Sequence, residues 1–228
     1  MMLKKLLGVF FCLFFMQAVA QEKKTGAWYM YFYKTQFKES NWGIQGDVQY
    51  RNWNLGGDLE QLLLRSGVTY KVPETPLMLT LGYAHITSGV IGDSDDTSME
   101  SRIYQEALIP QKISERFLLT HRFRYEQRWV ENQDFRTRYR YNLFLNVPLS
   151  KPTMTNNTLY LALYNELFIN GQRDIGDGRK VEIFDRNRTY LGLGYALNDK
   201  MKFQLAWMNQ NVNTQNKGQL QLSFHHQF

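Results

Sequence analysis

The chain has 228 residues, a formal net charge of +6, 15% aromatic residues and a single cysteine. That length suits one domain, and one cysteine excludes a disulfide framework within the chain. Beyond the first twenty residues, no stretch approaches the ~18 consecutive apolar residues of a membrane-crossing helix. What remains is a soluble protein, or a membrane barrel whose apolar residues are hidden in alternation.

Residues 1–20 read MMLKKLLGVFFCLFFMQAVA. Lys4 and Lys5 precede an apolar run from Leu6 to Met16, and Ala18-Val19-Ala20 follows. A charged start, a run too short for a bilayer and a small-x-small site predict a signal peptide cleaved after Ala20. Residues 21–228 are then the mature domain. Cys12 leaves with the leader, and Phe11 before it does not resemble a lipoprotein site.

Period-two segments then follow almost end to end. GAWYMYFYKTQF (26–37) is the first. Trp42, Ile44, Val48 and Tyr50 alternate with Gln45, Asp47, Gln49 and Arg51. Leu62, Leu64, Val68 and Tyr70 alternate with Leu63, Arg65, Thr69 and Lys71. Leu79, Leu81 and Tyr83 alternate with Met78, Thr80, Gly82 and Ala84. Phe123, Tyr125 and Trp129 alternate with Arg122, Arg124, Glu126 and Arg128. Tyr139, Tyr141, Leu143 and Leu145 alternate with Arg136, Arg138, Arg140 and Asn142. Leu159, Leu161, Leu163 and Leu167 alternate with Tyr160, Tyr164 and Glu166. Leu191, Leu193 and Tyr195 alternate with Arg186, Arg188, Tyr190 and Gly192. Phe203, Leu205 and Trp207 alternate with Lys202 and Gln204, and the chain ends KGQLQLSFHHQF.

The connectors alternate in kind. PETP (73–76), PQKISE (110–115), PLSKPTMTNN (148–157) and NDK (198–200) are mostly short or proline-bearing. NWNLGGD (52–58), GVIGDSDDTSME (89–100), ENQDF (131–135) and NGQRDIGDGRKVEIF (170–184) are polar and often longer. Segments of about 10 residues suffice to cross a bilayer at a tilt, whereas strands of soluble proteins usually have about five or six. Aromatics gather at segment ends, as in interfacial girdles. These features predict an all-β, antiparallel up-and-down transmembrane β-barrel of ten to twelve strands. The alternative is a soluble barrel with an apolar inside, because the faces alone do not say which is inner. Eleven segments are countable, whereas bacterial single-chain barrels have even strand numbers.

The charged face carries Arg51, Arg65, Arg102, Arg122, Arg124, Arg128, Arg136, Arg138, Arg140, Arg186 and Arg188, with Asp47, Glu106, Glu126 and Glu166. In a barrel these residues line the lumen. Buried arginine–carboxylate pairs would fill it as a structural plug. A narrow anion-selective path or small-solute pocket is the alternative, since fixed positive charge concentrates anions. The arginines of adjacent strands are like charges that would repel unless acids interleave, and Glu126 is expected to pair with arginine across the lumen.

Catalysis has weak support. His85 and Thr87 share the outward parity, as in outer-membrane lipases with a His-x-Ser pair, but the serine is replaced and no third group orients the histidine. His121 falls on an apolar face with no evident role. His225 and His226 point to opposite faces and make a poor metal pair. GDSDDTS (92–98) lacks the full calcium-loop pattern. No cofactor, metal site or nucleic-acid partner is expected. A last strand ending in Phe228 looks like the signal read by the outer-membrane assembly machinery. The other expected partners are outer-membrane lipid and lipopolysaccharide around a monomer, in the bacterial outer membrane.

The segments GAWY (26–29), VQYR (48–51), LLLRSGVTYKV (62–72), LTLGYAHI (79–86), THRFRYEQRW (120–129), RTRYRYNL (136–143), YNELFIN (164–170) and NRTYLGLGYAL (187–197) together resemble a bacterial outer-membrane family, domain of unknown function 2490. The resemblance spans nearly the whole mature chain. It implies an outer-membrane barrel and supplies no activity.

Overall fold

The computed structural model describes residues 25–213 and 215–228; the expected signal peptide lies outside them. Eleven strands form one closed sheet. They are β1 (Gly26–Gln36), β2 (Trp42–Asn52), β3 (Leu59–Lys71), β4 (Met78–Gly89), β5 (Thr97–Lys112), β6 (Leu118–Val130), β7 (Arg136–Pro148), β8 (Thr158–Asn170), β9 (Phe184–Ala196), β10 (Met201–Val212) and β11 (Gln215–Gln227). Each pairs with its sequence neighbours in antiparallel register, as hairpins joined in series require.

The ring closes differently. β1 and β11 are parallel, from Gly26 opposite Gln219 to Lys34 opposite Gln227. Eleven strands lie within the ten to twelve expected and the sheet is antiparallel apart from this pair, so the departure is the odd count with its one parallel closure. Parallel ladders are slightly weaker per residue, and side chains reinforce this one on both faces. Phe32 stacks on His225 inside (4.7 Å between centroids), while Tyr31 Oη meets His226 Nδ1 outside (3.2 Å). The Phe228 amide donates to the Lys34 carbonyl (2.9 Å).

The connectors fall on two rims. The turns after β1, β3, β5, β7 and β9 share the rim of Phe228; those after β2, β4, β6, β8 and β10 form the long-loop rim. β5 is longer at both ends than in the sequence reading, running on through Pro110, Gln111 and Lys112. It begins at Thr97, so Met99 and Glu100 belong to the wall and not to the loop.

Alternation sets the two faces of this wall. Along β4, Met78, Thr80, Gly82, Ala84 and Ile86 are buried, while Leu79, Leu81 and Tyr83 are exposed. The distribution is inverted relative to a soluble barrel. Large apolar residues cover the outside, with Leu81 60% and Leu205 55% exposed. Register aligns them into cross-strand pairs such as Tyr125–Tyr139 and Phe203–Phe224, with ring centroids 5.1 and 4.7 Å apart. Inside, two small apolar clusters face each other, one around Tyr160, Tyr190 and Met208, the other around Leu63, Ile86 and Tyr104. Tyrosine rings fit there because inward glycines leave room. A Cβ on Gly194 would stand 2.1 Å from the Tyr160 ring, and one on Gly82 2.2 Å from Tyr104. Between the clusters the interior is polar.

Candidate functional site: the barrel interior

The polar interior is built from β5 to β9. The hairpin register places Arg124 opposite Arg140 and Arg128 opposite Arg136, which alone would be repulsive. Carboxylates from neighbouring positions reach between them. Glu126, 1% exposed, accepts from Arg138 Nε and Nη2 (2.9 and 2.7 Å) and from Arg140 Nη1 (2.6 Å). Glu166 accepts from Arg140 Nε and Nη2 (2.9 and 2.5 Å) and from Arg122 Nη2 (2.7 Å). Glu106 takes Arg124 through Nε (2.7 Å). Toward the long-loop rim, Glu100 accepts from Arg102 Nε (2.6 Å) and Arg128 Nε (2.5 Å), and Asp185 accepts from Arg138 Nη1 (2.8 Å). On the opposite wall Arg65 Nε donates to Asp47 (3.0 Å).

Such pairs endure burial because each guanidinium offers several donors in a fixed plane, so one arginine bridges two acids. Aromatic faces take the remaining charge. The carbons of Arg140 and Arg188 that bear the charge lie 4.4 and 4.7 Å from the Phe168 ring centroid, and that of Arg124 lies 4.4 Å from Tyr104.

Three arginines of the charged face have no carboxylate partner among the described residues. Arg136 is half-buried at the long-loop rim. Arg51 donates to Gln49 Oε1 (2.6 Å) and Gln61 Oε1 (2.9 Å), and Arg188 to Gln210 Oε1 (2.8 Å). Arg51 and Arg188 share a third contact, lying 3.7 and 5.0 Å from the ring of buried Trp28. Arg186 pairs with its neighbour Asp185 (3.0 Å).

Trp28, Arg51 and Arg188 lie in the walls of two cavities. One, of about 440 Å³, runs from mid-barrel to the Phe228 rim, where Lys200 and Gln227 border it. The other, about 280 Å³, lies toward the long-loop rim beside Trp53, Glu60 and Lys217. Lys217 pairs with Glu60 (3.0 Å) and sits 3.8 Å over the Trp53 ring.

The remaining singled-out residues lie apart from this interior. His85 and Thr87 face outward opposite Leu64 and Leu62 on β3, and no hydrogen bond joins them to each other among the described residues. His121, also outward, is held between Tyr141 Oη (2.9 Å) and Gln111 Oε1 (3.0 Å), which accounts for a histidine on an apolar face. His226 lies outside, while His225 lines the larger cavity with its Nε2 3.1 Å from Ser223 Oγ. Phe228 stands exposed at the rim, its ring 4.1 Å from that of His226.

Trp28, Phe168, Glu100 and Asp185 are interior residues that alternation did not single out. A usable signal existed for Glu100, two residues before Arg102 and thus on the same face. Asp185 follows directly on the segment read as loop and has the parity opposite to Arg186 and Arg188; it turns inward where the β8–β9 register shifts opposite Phe168 and Ile169.

Comparison with known proteins agrees with a family lacking an assigned activity. An uncharacterised protein of Methylorubrum extorquens is 32% identical over 185 residues, which cover 77% of each chain. The profile described as "Protein of unknown function (DUF2490)" matches residues 25–221, so the chain belongs to that family.

Proposed function

We propose that this protein is a bacterial outer-membrane barrel with a structural role, its lumen held shut in the long-loop half by the arginine–carboxylate network. The observation that carries this reading is the inverted wall. Leucines and tyrosines cover the outside while Glu126, Glu166 and their arginines are buried within. In water that arrangement would expose a continuous apolar belt far larger than soluble monomers carry; in a bilayer the same belt is solvated by lipid. Pairing around the whole ring also leaves no open sheet edge, as a lipid-embedded strand demands.

Catalysis is not part of the proposal. His85 lacks a nucleophile and an orienting acid, and the Ser223–His225 pair has no carboxylate hydrogen-bonded to the histidine among the described residues. A narrow anion path is the second reading, favoured by the two cavities that meet at Trp28.

Fractionation and planar bilayers test the proposal. The mature protein is expected in the outer-membrane fraction, migrating as a heat-modifiable monomer, and to give no conductance steps in planar bilayers. Recovery of the folded chain as a soluble periplasmic protein would overturn it. Small anion-selective steps would favour the second reading, and large cation-selective steps would contradict both.

A further inference from the structure

We propose that the cavity at the Phe228 rim is a binding site for a small soluble organic anion, one bearing a phosphate or carboxylate on a flat or apolar body. The inference goes beyond a shut structural barrel and does not depend on which membrane holds it.

Charge is the first ground. Nine lysines and arginines line this cavity against four carboxylates. Three of those acids are already engaged, Asp47 with Arg65, Glu106 with Arg124 and Glu166 with Arg140. The excess cations lie at two depths. Arg51 and Arg188 stand at the inner end against Trp28. Lys34 and Lys202 stand near the mouth on the strands either side of β11, opposite Gln227 and His225, and form no ion pair among the described residues. Fixed positive charge at both depths, between low-dielectric walls, draws anions inward and favours them once there.

The wall chemistry is the second ground. Tyr160 and Tyr190 line the cavity; the Tyr190 hydroxyl donates to Gln204 Oε1 (2.8 Å), the Tyr160 hydroxyl accepts from Gln204 Nε2 (2.9 Å), and Phe32 lies near the mouth. Buried donors are also left over. Arg124 Nη1 and Gln221 Nε2 have no hydrogen-bond partner among the described residues, although their residues are 7% and 2% exposed. Arg124 Nη1 comes no nearer to Glu126 than 3.8 Å, too far for a hydrogen bond. An unmatched buried donor is costly, and a small rotation toward an anion would satisfy it. A volume of about 440 Å³ falls within the range of small-molecule pockets.

Isothermal titration calorimetry on the whole mature protein in an uncharged maltoside detergent tests this, with phenyl phosphate, benzoate, inorganic phosphate and phenyltrimethylammonium as probes. Saturable binding of phenyl phosphate or benzoate is expected, with inorganic phosphate weaker and no binding of the cation. Lys34→Gln and Lys202→Gln should each weaken binding about tenfold, as loss of a charge-assisted contact does. Lys217→Gln removes the same charge from the other cavity and should leave affinity unchanged. Heat-modifiable migration verifies that each variant is folded. Absence of saturable binding by either aromatic anion would overturn the proposal, as would equal binding of the cation. Equal weakening by all three lysine variants would also overturn it, because the effect would then be one of net charge and not of this site. Since the readout is binding in detergent, a failure here leaves location and conductance untouched, and a failure there leaves this result standing.

Discussion

Replacing Glu126 by Gln removes the charge at the centre of the ion-pair network with little change of shape. In the native barrel its two oxygens take three hydrogen bonds from Arg138 and Arg140, and Arg102 Nη1 stands 4.0 Å away. The amide retains one acceptor and turns an NH2 toward a guanidinium, so at least one charge-assisted bond is lost. Breaking a buried pair from one side costs about 3–5 kcal/mol. Arg138 retains Asp185 (2.8 Å) and Arg140 retains Glu166 (2.5 Å), so neither cation is orphaned. The expected loss therefore lies near the lower bound, about 3 kcal/mol. It should appear as a lower urea midpoint with unchanged slope, followed by heat-modifiable migration of the detergent-folded protein. A Glu126→Gln/Arg138→Gln double variant should recover part of the loss, since removing both partners costs less than stranding one. An unchanged midpoint in the single variant would refute the reasoning. It would mean that water fills the lumen, and the anion path would gain over the plug.

Three further expectations follow from the geometry. Trp28→Ala removes the ring that lies in both cavity walls, and should produce small anion-selective steps in planar bilayers; silence would show that the seal lies elsewhere. Gly194→Ala places a methyl into the Tyr160 ring, at a cost of roughly 1–3 kcal/mol in the urea midpoint, and Tyr160→Leu in the same chain should restore part of it. Deleting Phe228 should reduce the heat-modifiable form in cells while leaving transport across the inner membrane intact, read by pulse-chase; full assembly without it would remove the residue's role as a signal.

Strand positions were open to sequence reading because each hairpin repeats one rule. Leu79, Leu81 and Tyr83 against Thr80, Gly82 and Ala84 is a period of two that survives any neighbour. Closure was not, since periodicity within a segment says nothing of the direction in which a partner almost 200 residues away will run. The start of β5 was obscured by composition, for the aspartates and serines of GDSDDTS read as loop and carried Glu100 with them. Within the interior, parity groups the arginines on one face but does not say which acid each will meet. That depends on register, and on whether an aromatic such as Phe168 or Trp28 replaces an acid altogether. The cavity at the Phe228 rim is less legible still, because its volume is what glycines, alanines and tyrosines of several strands leave over.

The odd ring has a geometric consequence. A cycle with an odd number of members cannot be two-coloured, so if strands are coloured by direction, one junction must join like to like. Here that junction is β1 beside β11. The wall is therefore entered at Gly26 from one side and left at Gln227 on the other, whereas an even ring returns its chain to the side where it began. Peptide handles attached before Gly26 and after Phe228 would project from opposite ends of the barrel. A single molecule could thus be addressed from both sides, and the mismatched junction gives its wall a built-in origin from which every other strand can be counted.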